Sequence, residues 1–164
     1  YHQPGRRALD LGCGVGANIG LLLNNSFEVY ANDCSKTAIE KTLRNYPDED
    51  SLHTITSSFE DLSFNDKFFD LILSIASIEQ LPSFEMILSL VQKTRTWLKP
   101  DGRVFFRMLT EPTDKRLFRA PVLLVTEDGI AKLMDGFDYK TVRVKGVTLG
   151  ELEVSHFLVI GRLK

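Results

Sequence analysis

ALDLGCGVGAN, running from Ala8 to Asn18, decides the fold. It opens as an apolar, strand-like stretch carrying one acid, Asp10, and runs straight into Gly12, Gly14 and Gly16. Glycine at alternate positions lets the backbone take positive φ, turn sharply and pass close to a bound molecule. Apolar residues at helical spacing begin at Ile19, so the N–H groups of that helix start face the same space. A glycine-rich loop alone is a weak signal, because several nucleotide-binding folds use one. Two acids narrow it: Asp10 just ahead of the first glycine, and Asp33, which closes the next strand-like stretch.

Working outward, strand-like and helix-like patterns alternate, as in an α/β domain built on a parallel sheet. Arg7 to Leu11 reads as a first strand and Ala17 to Leu23 as a helix stopped by Asn24 and Asn25. Phe27 to Asn32 is a second strand. Ser35 is placed to cap a helix that reaches Asn45 and is stopped by Pro47. Leu52 to Ser57 and Phe68 to Ile75 are the third and fourth strands, the latter apolar enough to be central. Ser83 caps a helix with Phe84, Ile87, Leu88, Val91 and Leu98 at helical spacing. Lys99 to Gly102 reads as a turn before a fifth strand, Arg103 to Leu109. The stretch from Thr110 to Val125 is irregular. Thr126 then caps a helix through Met134, with Glu127 and Asp128 suiting its first turn. Phe137 to Val147 and Leu152 to Leu163 are two closing strands. Their short connection near Gly150 makes them antiparallel.

The 164 residues suffice for one domain with a real core. Hydrophobic residues at 43% and charged residues at 26% are ordinary for a globular protein. A net charge of −2 offers no electrostatic case for nucleic acid or an anionic membrane. The longest apolar stretch, Phe68 to Ile78, is broken by Asp70 and too short to span a bilayer. Cys13 and Cys34 are too few for a disulfide framework and lack metal-site spacing, which fits a reducing, cytoplasmic setting. His2, His53 and His156 have no partner at triad or metal spacing.

Several segments in order resemble the class I S-adenosylmethionine-dependent methyltransferases. ALDLGCGVGAN is similar to that family's first motif, and VYANDCS (Val29 to Ser35) to its second, with Asp33 as the acid. SFEDLSF (Ser58 to Phe64) looks like the third, KFFDLILSIASIEQL (Lys67 to Leu81) like the fourth strand with its substrate-facing loop, and WLKPDGRVFF (Trp97 to Phe106) like the fifth. The resemblance implies one Rossmann-like methyltransferase domain over residues 1–164. Its sheet has seven strands, mostly parallel with a C-terminal antiparallel pair, and helices on both faces. It also implies S-adenosyl-L-methionine as cofactor. The tail from Val125 to Glu151 looks most like the tellurite-resistance methyltransferases, which act on small soft acceptors. Two departures stand out. The position that usually offers an acid to the adenine is Ser58, so adenine binding is expected to be weaker, with Glu60 as substitute if the register differs by two. Only Tyr1 to Gly5 precede Arg6, where relatives carry a helix over the cofactor, so that cap is expected to be absent or truncated.

On this reading Gly12, Gly14 and Gly16 let the backbone approach the methionyl end and ribose. Asp10 attracts the ammonium group, and Asp33 accepts from the ribose hydroxyls. Cys34, Ser58 and Phe59 lie near the adenine, Cys13 lies beside the ligand, and the Ser74 carbonyl meets the ammonium. Each has a plainer alternative. Asp10 can be a solvated strand-end acid, Asp33 a helix-start acid, the cysteines small buried filler, Phe59 core and Ser74 a strand cap. Glu79 and Gln80 follow the fourth strand, where the acceptor should sit, and Glu79 can act as a base if its pKa suits. Arg107, ending the fifth strand, can bind an anionic acceptor or join a structural ion pair. The loop Glu111 to Pro121 is placed to shape acceptor choice. The sulfonium is already activated, so alignment and water exclusion can supply much of the rate without a base. The function expected is methyl transfer to a small-molecule acceptor, with no nucleic acid, membrane or metal involved. The rival is a catalytically silent module of the same fold that binds a protein partner. A nicotinamide-dependent dehydrogenase fits less well, because Asp10 precedes the glycines and the closing strands are antiparallel.

Overall fold

The computed structural model describes residues 5–110, 122–149 and 152–164. Chain order is β1 (Arg6–Leu11), α1 (Ile19–Asn24), β2 (Phe27–Asp33), α2 (Lys36–Asn45), β3 (Leu52–Thr56), β4 (Phe69–Ile75), a 3₁₀ turn (Ile78–Gln80), α3 (Phe84–Trp97), β5 (Leu98–Thr110), α4 (Glu127–Leu133), β6 (Phe137–Leu149) and β7 (Leu152–Leu163). The strands form one sheet in the order β3-β2-β1-β4-β5-β7-β6. β1 to β5 are parallel neighbours; β7 is antiparallel to β5, and β6 to β7. Six strands therefore share one direction and β7 alone is reversed. The chain steps outward from β1 to β3, then returns to place β4 on the other side of β1. That reversal opens a crevice at the carboxyl ends of β1 and β4, the place where open α/β sheets bind ligands.

Alternation along β1 explains the two layers. Ala8 joins Ile19, Leu22, Val29 and Ile39 in a cluster with α1 and α2. Leu9 and Leu11 point the other way, into a larger cluster with Ile87, Leu90 and Val91 of α3 and Ile130 and Leu133 of α4. Successive strand residues face opposite sides, so helices cover both faces. Three expected caps form: Ser35, Ser83 and Thr126 each accept from the backbone N–H three residues on, at 3.3, 3.3 and 3.1 Å.

The structure corrects some boundaries. α1 starts at Ile19, two residues later than Ala17, because 12–18 is spent on the glycine turn. Leu98 opens β5 and does not end α3. The turn expected at Lys99 to Gly102 lies within β5 as a bulge. Leu98 pairs with Phe69 and Arg103 with Leu71, so four residues loop out opposite Asp70. Lys99 folds back to donate to the Asp70 carboxylate at 2.7 Å, and Asp101 takes positive φ (64°). The connection at Gly150 and the loop Glu111 to Pro121 lie outside the described residues.

Candidate cofactor and acceptor site

A cavity of about 700 Å³ spans the carboxyl ends of β2, β1, β4 and β5. Its β2 end is lined by Asp33, Cys34, Ser57, Ser58 and Phe59. The glycine turn supplies Gly12, Cys13, Gly14 and Val15, followed by Ala17 and Asn18. Ile75, Ala76 and Ser77 close the β4 side, and Gln80, Leu81 and Arg107 the β5 end. Among the described lining residues, Asp33 and Arg107 alone are charged, and they stand at opposite ends.

The turn is clamped from several sides. Gly12, Gly14 and Gly16 all take positive φ, at 70°, 56° and 89°. A side chain on Gly12 would meet Ser77 Cβ at 2.4 Å, so that position is closed to anything larger. Ser77 Oγ donates to the Leu11 carbonyl at 2.6 Å, which fixes the loop after β4 against the end of β1. Ser77 has one hydroxyl hydrogen, so Ser74 donates to Ser77 Oγ at 2.6 Å. From the opposite side, α2 and its C-cap take three successive loop carbonyls. Thr42 Oγ1 donates to Gly14 O at 3.0 Å, Asn45 Nδ2 to Val15 O at 3.0 Å, and Tyr46 OH to Gly16 O at 3.1 Å. Tyr46 OH also accepts from Gly20 N at 3.0 Å.

Asp33 is fixed by backbone alone. One carboxylate oxygen accepts from Gly14 N at 2.9 Å and the other from Ser35 N at 2.8 Å. Each oxygen keeps lone-pair capacity toward the cavity. Asp10 is fully buried. Asn18 Nδ2 donates to one of its oxygens at 3.4 Å; the other has no hydrogen-bond partner among the described residues. Burial, with help from the nearby Asp33 charge, pushes its carboxyl up to about 6 against the opposing bond from Asn18. Glu79 is buried too, with no partner for either carboxylate oxygen among the described residues. Burial pushes it up to about 7, opposed by the backbone N–H groups of Glu79, Leu109 and Ser77, which approach the carboxylate without reaching good hydrogen-bond geometry, and by Arg107.

The description "Methyltransferase domain" fits residues 9–106 of the chain, more than half its length. The chain belongs to the S-adenosylmethionine-dependent methyltransferases. It is 29% identical over 115 residues to a cypemycin N-terminal methyltransferase from a Streptomyces species, covering 69% of this chain and 46% of that protein. It is 30% identical over 112 residues to a ubiquinone biosynthesis O-methyltransferase from Rickettsia typhi, covering 67% and 44%. The chain thus spans less than half the length of these curated relatives. Its fold matches an S-adenosylmethionine-dependent methyltransferase from Methanosarcina mazei, with a TM-score of 0.81, 15% identity and coverage of 99% and 95%. It also matches the N-methyltransferase NodS of Bradyrhizobium japonicum in complex with S-adenosyl-L-homocysteine, with a TM-score of 0.80, 18% identity and coverage of 97% and 78%.

The structure brings most of the expected residues together and places some of them elsewhere. Gly12, Cys13, Gly14, Asp33, Cys34, Ser58, Phe59 and Gln80 line the cavity; Asp10, Gly16, Ser74 and Glu79 do not. Asp10 is not a solvated strand-end acid: it lies behind Asn18, which faces the cavity in its place. Gly16 packs against Tyr46, Ile19 and Thr42. Ser74 stands behind Ser77. Glu79 turns into the protein while Gln80 lines the cavity and donates to Ala76 O at 2.9 Å. The cysteines differ: Cys34 is exposed, while Cys13 is buried with its thiol pushed up to about 12, chiefly by burial. Phe59 fills both roles, lining the cavity and packing on the core. Ser58 Oγ donates to Asp61 at 2.8 Å, so the acid behind the third motif is Asp61, while Glu60 lines a separate small pocket. Residues the sequence did not single out are Asn18, Thr42, Asn45, Tyr46 and Ser77. In a sequence their only signal is a hydrogen-bonding side chain near the motif. No helix of the described residues is long and apolar enough to cross a membrane.

Proposed function

We propose that this domain holds S-adenosyl-L-methionine along the β2–β1–β4 part of the cavity and methylates a small-molecule acceptor that enters at the β5 end. The observation that carries the reading is Asp33, a cavity-lining carboxylate whose two oxygens are aimed by Gly14 and Ser35 N–H groups before any ligand is considered. A carboxylate so placed at the end of the second strand suits a ribose diol. The unpartnered Asp10 oxygen, with Asn18 in front of it, suits an ammonium group, directly or through water. Gly14 leaves open space where a Cβ would project, which fits close approach of a ligand. When bound, the cofactor supplies a methyl group already activated on a sulfonium.

The chain's own residues then have three tasks. Asp33 and the clamped turn fix the cofactor's position. Phe59, Ile75, Ala76 and Leu81 supply apolar walls that limit water. Gln80 and Arg107 orient the acceptor, and holding two reactants in line can itself supply several kcal/mol of barrier reduction, roughly 7–11 at best. Glu79, protonated or ionised near neutral pH, tunes this end from behind.

The test is calorimetric titration with S-adenosylmethionine, S-adenosylhomocysteine and NAD. The first two should bind and NAD should not. Asp33→Ala should weaken cofactor binding by about 1–3 kcal/mol, the value of charge-assisted bonds lost. Wild-type affinity in that variant would remove Asp33 from the site. Cofactor binding with no methyl transfer across a broad panel of small acceptors would favour the silent module.

A further inference from the structure

We propose that Arg107 receives a carboxylate on the acceptor, so that the methyl group goes to a small, largely apolar carboxylic acid. The inference rests on the reading above, in which the cofactor occupies the other end of the cavity.

Arg107 ends the parallel pairing of β5 with β4, where it is paired with Ile75, and its side chain lines the cavity. It makes no side-chain hydrogen bond or ion pair among the described residues. A half-buried guanidinium offers five N–H donors in a planar fork, the shape that a carboxylate meets with two parallel bonds. The plainer role, a structural ion pair, would need Glu79 within bonding range. Glu79 is near enough to feel the charge, yet neither of its oxygens has a partner. His156 of β7 is near enough to feel the Arg107 charge as well. It pairs across the strands with Leu109, is buried, and has an unpartnered Nδ1. Burial, then the Arg107 charge, lowers its pKa, so it stays neutral. Glu79 and His156 therefore feel the guanidinium's charge and leave its donors unoccupied.

The class of anion follows from the charge count. No lysine and no second arginine is among the described lining residues, and Asp33 is the other charge. One cation balances a monoanion; a phosphate dianion would be left with net negative charge beside Glu79. Ile75, Ala76 and Leu81 surround the site with apolar surface, which fits the hydrocarbon body of an acid. The cofactor's own carboxylate is the competing occupant. It shares a carbon with the ammonium group, so an ammonium at the Asn18–Asp10 pair keeps it near β1. β5 lies two strand spacings away, roughly 10 Å.

The experiment uses the full chain saturated with S-adenosylhomocysteine and titrated with benzoate, benzamide and inorganic phosphate as probes. Benzoate should bind at least ten-fold more tightly than benzamide. Arg107→Gln should erase that preference and keep affinity for S-adenosylhomocysteine within three-fold. Arg107→Lys, which keeps charge and loses the fork, should retain part of the preference and stands in if Arg107→Gln does not fold. Equal binding of benzoate and benzamide, or a preference that survives Arg107→Gln, overturns the proposal. Phosphate displacing benzoate at lower concentration than benzoate itself requires overturns the carboxylate class. A loss of more than ten-fold in S-adenosylhomocysteine affinity in Arg107→Gln assigns Arg107 to the cofactor and overturns it as well. Failure of the wild-type chain to bind S-adenosylhomocysteine appears before any probe is added and counts against the proposed function instead.

Discussion

The two ends of the cavity are built on opposite plans. At the β2 end the polar groups that shape the wall have partners. Both Asp33 oxygens accept backbone N–H groups, and the Gly14, Val15 and Gly16 carbonyls are taken by Thr42, Asn45 and Tyr46. At the β5 end, Arg107 has no partner for its fork among the described residues, and the Glu79 oxygens and His156 Nδ1 are buried without one. A satisfied network is rigid and presents one shape; a buried polar group without a partner costs about 1–3 kcal/mol until something completes it. The first plan suits a ligand that is the same at every turnover. The second leaves recognition to whatever ligand supplies the missing bonds.

The strongest way to break the comparison is to spoil the rigid end without unfolding it. Gly14 takes φ of 56°, and a Cβ there would meet nothing within 4 Å. Gly14→Val should therefore meet no collision, cost about 1–2 kcal/mol of stability from positive φ, and fill ligand space, with a loss of cofactor affinity of more than about 100-fold, on the order of 3 kcal/mol. Gly12→Ala makes the contrast, because its added carbon collides with Ser77. It should lose roughly 2–4 kcal/mol of stability from overpacking and positive φ. Calorimetry and thermal unfolding on both variants separate the two effects. Tight cofactor binding by folded Gly14→Val would contradict the close approach assigned to the turn.

Two buried oxygens within the rigid end lack a partner among the described residues, Asn32 Oδ1 and one oxygen of Asp10, and titration exposes Asp10. Its folded pKa of about 6 lies above the ordinary Asp value, about 3.9. Below pH 4 both folded and unfolded forms are protonated and the burial of Asp10 carries no ionisation penalty. As pH rises from 4 to 6 the unfolded state ionises first, so stability falls, by roughly 3 kcal/mol in all once pH exceeds 6. Asp10→Asn should thus be more stable than wild type at pH 7, by roughly 2 kcal/mol after the cost of an unpaired amide. The advantage should vanish at pH 4. The same variant should bind cofactor more weakly, a trade of function against stability. Denaturant unfolding at pH 4 and pH 7 checks it; an unchanged difference between the two pH values would show that Asp10 does not titrate in this window.

Much of this was legible because it is local. Ser35, Ser83 and Thr126 announce helix starts through a hydroxyl placed three residues before an N–H, and such caps form whatever surrounds them. Glycines at alternate positions announce a turn for the same reason. The antiparallel closing pair followed from the short connection between its strands, and the seven-stranded plan from the family resemblance. What could not be read depended on contacts distant in sequence. Nothing local to Thr42, Asn45 and Tyr46 says that their partners are the carbonyls of 14–16. The sequence reading picked Ser74, while the bond to the Leu11 carbonyl puts Ser77 at the cavity wall. Glu79 and Gln80 are adjacent, and only the 3₁₀ turn decides which faces the cavity. His156 found its setting through the register that pairs it with Leu109.

The smallest expected effect acts on the turn from outside the cavity. Tyr46 does not line the cavity; its hydroxyl donates to Gly16 O and accepts from Gly20 N, tying α2 to both the turn and the start of α1. Tyr46→Phe removes both bonds and leaves the ring. Each is worth about 1 kcal/mol in stability, and the orphaned groups near the surface recover part of it from water. The turn should lose some of its fixed shape, so S-adenosylhomocysteine affinity should fall about three- to ten-fold, roughly 1 kcal/mol. The preference for benzoate over benzamide should not change, because Arg107 is attached to β5 and shares none of these bonds. The paired measurement is informative in both directions. Loss of cofactor affinity alone supports two independently built ends. Equal loss at both ends would mean that the clamp on the glycine turn also sets the geometry of the acceptor mouth, through Ser77 and the β4 loop that it anchors.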